Sequence, residues 1–240
     1  MNSLFDITGK RAIVTGGSRG IGFVLARTLC EAGCKVAVTG SGDSIHAAAE
    51  NLGPPDRVQG FIGDFQDSAA IERCFQEANA FLGGTDILVN NAGTQIRHPC
   101  EDFPLEDFQR LIQVNLVAAF QMAQLAGREM LAQGHGKIIN IASMLSFFGG
   151  HNVPAYASSK GGLAQLTKSL SNGWAARGIN CLLYTSPSGA STSMPWPPVI
   201  WPRTTPQPSG RTPCGTRRFS AASPPDDGAG RRIWPGRCCF

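Results

Sequence analysis

Tyr156 and Lys160 stand four residues apart in the run Tyr156-Ala-Ser-Ser-Lys160. In a helix that spacing puts both side chains on one face, a turn apart. A phenol with a pKa near ~10 is a poor base at neutral pH. A neighbouring ammonium favours the phenolate, so the pair suits proton exchange with an alcohol or a carbonyl. Ser143 follows the apolar run Ile138-Ile-Asn-Ile-Ala142, and its hydroxyl could hold a substrate oxygen beside the phenol. Asn115 sits in a helical stretch, where a buried amide must find partners; a water that relays protons is one candidate. A lone Tyr-x-x-x-Lys is common by chance and is usually a solvated helix pair. The weight therefore rests on the combination of the four residues.

A second group of residues suits a phosphate. Thr15-Gly-Gly-Ser-Arg-Gly-Ile-Gly22 places Gly16, Gly20 and Gly22 around Ser18, Arg19 and Ile21 in a G-x-x-x-G-x-G pattern. Glycines let the backbone turn tightly and approach a pyrophosphate, and the helix that follows offers free N–H groups. An ordinary strand–helix turn is the plain alternative, and the position between first strand and first helix argues against it. Asp64 could accept a hydrogen bond from an adenine amino group, or cap a helix. Asn91-Ala92-Gly93 brings small residues to a point where a cofactor would pass, or forms a structural turn. Gly40, Ser41 and Gly42 precede Asp43 where a ribose-binding acid would decide between NAD and NADP, so the cofactor stays open, with Arg19 inclining it toward the 2′-phosphate. Arg97 and His98 could meet a carboxylate, although a solvated loop explains them as well.

These residues need strand and helix ends to hold them, and the apolar pattern supplies those. Short apolar runs predict strands over Arg11–Thr15, Lys35–Thr39, Arg57–Ile62, Asp86–Asn90 and Lys137–Ile141. Helical patterns fall over Ile21–Ala32, Leu105–Leu116, Val117–Gln133 and Tyr156–Arg177. Strands that are apolar on both faces and spaced by helices imply a parallel sheet covered on both sides. The economical topology is an α/β, doubly wound, Rossmann-type sheet. Among the cysteines, Cys30, Cys34, Cys74 and Cys100 show no metal-ligand spacing, so no metal is expected, and a reducing compartment suits them.

The character of the chain changes near residue 181. Residues 181–240 hold 11 of the 16 prolines, three of the four tryptophans and seven arginines, against only Asp226 and Asp227. The formal charge of +4 thus comes from this tail, which leaves the first 180 residues slightly acidic and gives no reason to expect nucleic-acid binding. No apolar stretch reaches the ~18–20 residues of a membrane span. The N-terminus lacks a basic-then-apolar leader, so a cytoplasmic location is expected. The tail reads in three ways: a disordered Pro/Arg-rich segment, a basic partner-binding arm, or a frame-shifted product. The genetic code bears on the third. Met is only ATG, Trp only TGG, and Pro begins CC. One frame over, the junctions Met194–Pro195, Trp196–Pro197 and Trp201–Pro202 must each encode alanine. Suitable codons elsewhere turn the stretch into Asn-Val-Asn-Ala-Val-Ala-Pro-Gly-Tyr-Met-Ala-Thr-Asp. Residues 1–180 are therefore expected to form the dinucleotide-binding and catalytic domain, and 181–240 a frame-shifted, disordered tail.

TGGSRGIG, DILVNNAG, the Asn115 region, INIAS and YASSK, in that order, resemble the short-chain dehydrogenase/reductase family over nearly all of residues 5–180. The shifted-frame reading of the tail continues the resemblance. It implies an NAD(P)-dependent oxidoreductase with Ser143, Tyr156 and Lys160 as catalytic centre: Tyr156 as acid/base, Lys160 lowering its pKa and gripping the nicotinamide ribose, and Asn115 carrying the water relay. It implies that Asn91, Ala92 and Gly93 line the cofactor, and that the protein is a homotetramer. The segment Lys137–Phe147, with Gly149–Gly150 and Val153–Pro154, resembles the members that act on sugar acids. The resemblance also implies that residues after 180 supply a sixth strand and substrate-covering helices. The printed tail is expected to lack them, so the sheet is expected to lose that strand and the chain to be unstable or inactive. A non-catalytic dinucleotide-binding protein is the remaining alternative.

Overall fold

The computed structural model describes residues 6–185. The expectations for 186–240 lie outside the described residues. In chain order the elements are β1 (Arg11–Thr15), α1 (Gly20–Glu31), β2 (Lys35–Gly40), α2 (Ser44–Glu50), β3 (Val58–Ile62), α3 (Ser68–Leu82), β4 (Ile87–Asn90), α4 (Leu105–Ile112), α5 (Ala118–Gln133), β5 (Gly136–Ile141), α6 (Pro154–Trp174) and β6 (Ile179–Tyr184). A π turn, Gln113–Val117, joins α4 to α5.

All six strands run parallel in the order β3-β2-β1-β4-β5-β6. This is the expected Rossmann-type sheet. Alternate residues of each strand feed two cores. Ile13, Ala37, Phe61, Leu88 and Ile138 face α3 and α5, packing on Ile71, Phe75, Met122 and Met130. Ala12, Val14, Val36, Val38 and Val58 face the other way, onto Ala26 of α1 and Ile45 and Ala49 of α2. The strand order reverses between β1 and β4, so a crevice opens at their carboxyl ends, where ligands bind in such sheets.

Two helices escape the sequence patterns named above. Helix α3 is delimited by clear end signals: the Asp67 carboxylate accepts from Ala69 N (3.0 Å) and Ala70 N (3.2 Å), and Gly83 closes it in the left-handed region at φ 75°. The expected helix over Leu105–Leu116 instead ends at Ile112 and passes into the π turn.

One expectation is corrected. The sixth strand was expected to be lost after residue 180. Instead Ile179–Tyr184 pairs with Gly136–Ile141 along its full length, and Ala142 N donates to Tyr184 O at 2.8 Å. A parallel ladder is made by backbone groups, so any short run of apolar, extended residues can complete it. Cys181 and Leu183 are buried, and Cys181 joins the core beside α5 and α6. On the opposite face the cover is thinner, with Ile139 and Leu182 half-buried and Tyr184 exposed.

At the amino end of the sheet a charged clamp joins β1 to β4. Asp86 is buried and accepts from Arg11 Nη2 (2.8 Å), Nε (2.9 Å) and backbone N (3.0 Å), and it contacts His135 Nε2 at 3.1 Å. The guanidinium holds the Asp86 carboxyl well below the ordinary carboxylate range, despite its burial. A depressed carboxylate contributes stability that is present above its unfolded pKa and lost as pH falls through the folded value. Asp86→Asn is therefore expected to cost roughly 1–3 kcal/mol at neutral pH. The gap from wild type should close as denaturation is followed below about pH 4.

Candidate active site

The crevice is laced shut at its base by side chains from β1 and β4. The buried Thr15 hydroxyl accepts from Asn91 N (3.0 Å) and Ala92 N (2.9 Å) and donates to Val89 O (3.3 Å). The Asn91 amide in turn donates to Thr15 O (3.0 Å) and Gly16 O (3.1 Å). Gly16 adopts φ 65°, and a Cβ there would press on the Ala92 backbone. At Gly22 a Cβ would collide with the Gly16 carbonyl and the Asn91 amide, so α1 can approach this turn only without a side chain.

Above the base lies a cleft of about 500 Å³. Every residue expected at the phosphate and adenosine positions lines it: Gly16 and Ser18 to Gly22 of the glycine turn, Asp64, and Asn91–Gly93. Thr39, Gly40 and Ser41 line it from β2, and Arg110 and Val114 from the α4 side. Thr39, Phe65, Gln66, Arg110 and Val114 were not singled out by sequence reasoning. The available signal was helical spacing, since Arg110 and Val114 lie one turn apart just ahead of Asn115. Asp64 is not a helix cap, because Asp67 fills that role. Its Oδ1 accepts from Gln66 N at 2.9 Å, and Oδ2 is left for another donor.

The residues present fit a dinucleotide. Helix α1 begins at the glycine turn with no side-chain cap and no acid in its first turn, which leaves its N–H groups and positive dipole end to a pyrophosphate. Thr39 Oγ1 is buried beside the cleft with no hydrogen-bond partner among the described residues.

Asn115, Ser143, Tyr156 and Lys160 are not among the residues that line this cleft; Asn115 adjoins its rim at Gly93 and Thr94. The Asn115 carboxamide, 1% exposed in the π turn, accepts from Thr94 N (2.8 Å) and donates to Thr94 O (2.9 Å) and Ser159 Oγ (3.2 Å). Ser159 Oγ donates to Tyr156 O at 2.8 Å, so one chain of hydrogen bonds ties the β4 loop, the π turn and the first turn of α6. The wide turn lets the Asn115 side chain point inward where a regular helix would carry it round. Pro154 starts α6, and Tyr156 and Lys160 follow on one face, with Lys160 Nζ 5.8 Å from the Tyr156 ring centroid. Lys160 Nζ donates to Ile141 O at 2.7 Å and forms no ion pair with a carboxylate among the described residues. Two of its three N–H donors remain for a ligand. Burial pushes its pKa down to about 8. Ser143 Oγ accepts from Leu145 N (3.2 Å), which leaves its O–H free to donate. Hydrogen bonds thus join Asn115 at the α4–α5 junction to the start of α6, which carries Tyr156 and Lys160, and join Lys160 to the end of β5, two residues before Ser143. An arrangement of this kind can bind a substrate oxygen and pass a proton at the phenol.

Of the two carboxylate candidates, His98 is engaged: Nε2 lies 3.1 Å from Asp107 Oδ2, and the ring packs edge-on against Phe103. Its backbone N donates to Asn152 O (3.3 Å), which brings the loop after β4 beside the approach to α6. Arg97, next to it, is exposed.

The chain belongs to the short-chain dehydrogenases: the model of that family matches residues 10–197. It is an oxidoreductase by family. Among similar proteins, the 2-dehydro-3-deoxy-D-gluconate 5-dehydrogenase of Bacillus subtilis is 44% identical over 182 residues, which cover 75% of this chain and 70% of that protein. The gluconate 5-dehydrogenase of Gluconobacter oxydans is 37% identical over 185 residues, covering 73% of this chain and 70% of that one. Two solved structures align on the same region. A putative NAD(P)-dependent gluconate 5-dehydrogenase from Beutenbergia cavernae with bound NADP has 36% identity and a TM-score of 0.72, covering 75% of this chain and 73% of that one. A gluconate 5-dehydrogenase from Burkholderia cenocepacia in complex with NADP and tartrate has 36% identity and a TM-score of 0.70, covering 75% and 72%. Among the described residues no helix is long and apolar enough to cross a membrane.

Burying an uncompensated ammonium opposes folding, and the sign of that effect can be read from pH. Between about 8 and 10.5 the folded Lys160 is neutral while the unfolded chain still binds the proton, so stability should rise across this window. Lys160→Met is expected to be more stable than wild type at pH 7, by up to about 3 kcal/mol. Urea titrations at pH 7 and pH 10 should show that advantage shrinking at the higher pH.

Proposed function

We propose that this chain carries the machinery of an NAD(P)-dependent oxidoreductase acting on a secondary alcohol or ketone of a sugar acid, of the 2-dehydro-3-deoxy-D-gluconate or gluconate 5-dehydrogenase kind. The observation that carries the reading is the buried Lys160, held by Ile141 O one helical turn from Tyr156, whose backbone carbonyl is joined through Ser159 and Asn115 to the loop that ends the dinucleotide cleft. The names of the similar proteins support the substrate class.

When bound, the dinucleotide supplies or accepts the hydride. The protein's own side chains manage the rest. Ser143 donates its free O–H to the substrate oxygen and holds it beside the phenol. Tyr156 gives that oxygen a proton in the direction of reduction and takes one in the direction of oxidation. Lys160 places positive charge behind the phenol, and its two unused donors suit ribose hydroxyls. Asn115 holds the π turn and Ser159 in place, and a water beside it would return the proton to solvent. At the substrate end, Arg97 is the cation left for a carboxylate once His98 is bound to Asp107. NADP is the preferred cofactor on this reading. Among the described residues no acid lines the cleft from the end of β2, whereas Ser41 and Arg19 do line it.

Initial rates with NADP and NAD against 2-dehydro-3-deoxy-gluconate, gluconate and their 5-keto forms test the proposal. Tyr156→Phe should lower kcat by at least 10²-fold with little change in dinucleotide affinity. Arg19→Ala should weaken NADP more than NAD. Full activity in Tyr156→Phe would remove the phenol from the chemistry, and a wild-type chain that binds NADP yet turns over none of these substrates would belong with the non-catalytic dinucleotide binders.

A second reading concerns the chain as printed. We infer that its last residues, from within 181–192 onward, are translated out of frame. The three alanines forced at Met194–Pro195, Trp196–Pro197 and Trp201–Pro202 support this, in a stretch whose shifted reading continues the family resemblance. On that reading the chain lacks its substrate cover and turns over poorly. Resequencing the DNA across codons 178–192 should reveal the lost or gained bases. An intact frame there would instead leave a basic, proline-rich arm to be explained.

A further inference from the structure

Arg110 has no role in the machinery just described, yet its placement is unusual for a residue on an exposed helix face. Helix α4 carries Glu106 four residues before it and Asp107 three before it. Such spacings ordinarily draw an arginine into an ion pair along the helix. Neither pair forms here. Asp107 is held by His98, and the Arg110 side chain makes no hydrogen bond or ion pair among the described residues. Its side chain instead lines the cleft, together with Val114 one turn further on.

The ends of the cleft identify what it would meet. The pyrophosphate belongs at the glycine turn and the start of α1. The acid–base residues mark the nicotinamide end, beyond Gly93. The adenosine half is left with the ends of β2 and β3, where Thr39, Ser41, Asp64, Phe65 and Gln66 line the wall. Arg110 lies five residues before Asn115, about 7 Å along the helix from the reacting end. An unpaired guanidinium is planar, weakly hydrated and well suited to lie against a π face, whereas a lysine ammonium is a hydrated point charge.

We propose that Arg110 is an adenine-binding residue, its guanidinium packing on the purine held at Asp64 and Phe65. This rests on the dinucleotide-dependent reading above. Arg110 then secures the non-reacting half of the cofactor and contributes to affinity, with no part in the chemical step.

The test is equilibrium binding by the full chain, by calorimetry or nucleotide fluorescence, with ADP, NADH, NADPH and nicotinamide mononucleotide as probes. Arg110→Ala and Arg110→Met should weaken ADP, NADH and NADPH alike, by roughly five- to tenfold. Nicotinamide mononucleotide, which lacks the adenosine, should bind all forms equally, and Arg110→Lys should restore only part of the loss. Equal melting temperatures would show that the variants fold, as expected for an exposed side chain. Unchanged ADP binding in Arg110→Ala overturns the proposal while leaving the oxidoreductase reading intact. A loss confined to NADPH also overturns it, by assigning the guanidinium to the 2′-phosphate. A parallel loss for nicotinamide mononucleotide overturns it too, since the effect would not lie at the adenine. A wild-type chain that binds neither ADP nor a dinucleotide removes both readings together.

Discussion

A buried lysine held by one carbonyl oxygen constrains much of the surrounding fold. Lys160 is 5% exposed, faces no carboxylate among the described residues, and is anchored to Ile141 at the end of β5. Buried charge is tolerated only where surrounding structure over-determines it. Here that structure is a 21-residue helix, started by proline and packed along β6 and the α4–α5 junction, which cannot easily shift to let the amine reach water. The burial is unfavourable in itself, and it lowers the proton affinity of the amine to about 8.

The rest of the site consists of strand ends tied together by side chains that present few groups to solvent. Thr15 and Asn91 fasten the β1 turn to the β4 turn. Asn115 and Ser159 fasten the β4 loop to α6. The ties use the short side chains Ser, Thr and Asn, which combine donors and acceptors with few rotatable bonds. The Asp86 clamp does similar work at the far end of the same two strands with charges. The central pair β1–β4 is thus fixed at both ends, which suits a crevice that must hold its shape before a ligand arrives.

Much of this was legible in residue order. The glycine turn, the Asn-Asn-Ala-Gly run and the Tyr-x-x-x-Lys pair each sit at a strand or helix end, and hydrophobic runs locate five strands. What escaped has physical reasons. Helix α2 is only Ser44–Glu50, too short for a periodic signal. The π turn has no compositional mark, because it is selected by the contacts of one side chain, Asn115. Strand β6 was discounted because its residues fall where the chain turns rich in proline. A parallel ladder nonetheless asks only for extended backbone and apolar side chains, which Cys181–Tyr184 provide. Arg110 and Val114 escaped because a surface arginine and a helical valine look ordinary until the cleft beside them is seen.

The wide turn at Gln113–Val117 amounts to about one residue more than a straight helix would need. Excising one residue from it would mend the hydrogen-bond ladder and lengthen a regular rod, an improvement by any local measure. It would leave the flanking turns roughly where they are, because a widened turn absorbs its surplus residue locally, but the inward aim of one side chain would go with it. The Asn115 carboxamide would turn away from Thr94 and Ser159. The segment is therefore intolerant of a deletion for a reason opposite to the usual one: shortening it gives a better helix and a severed tie.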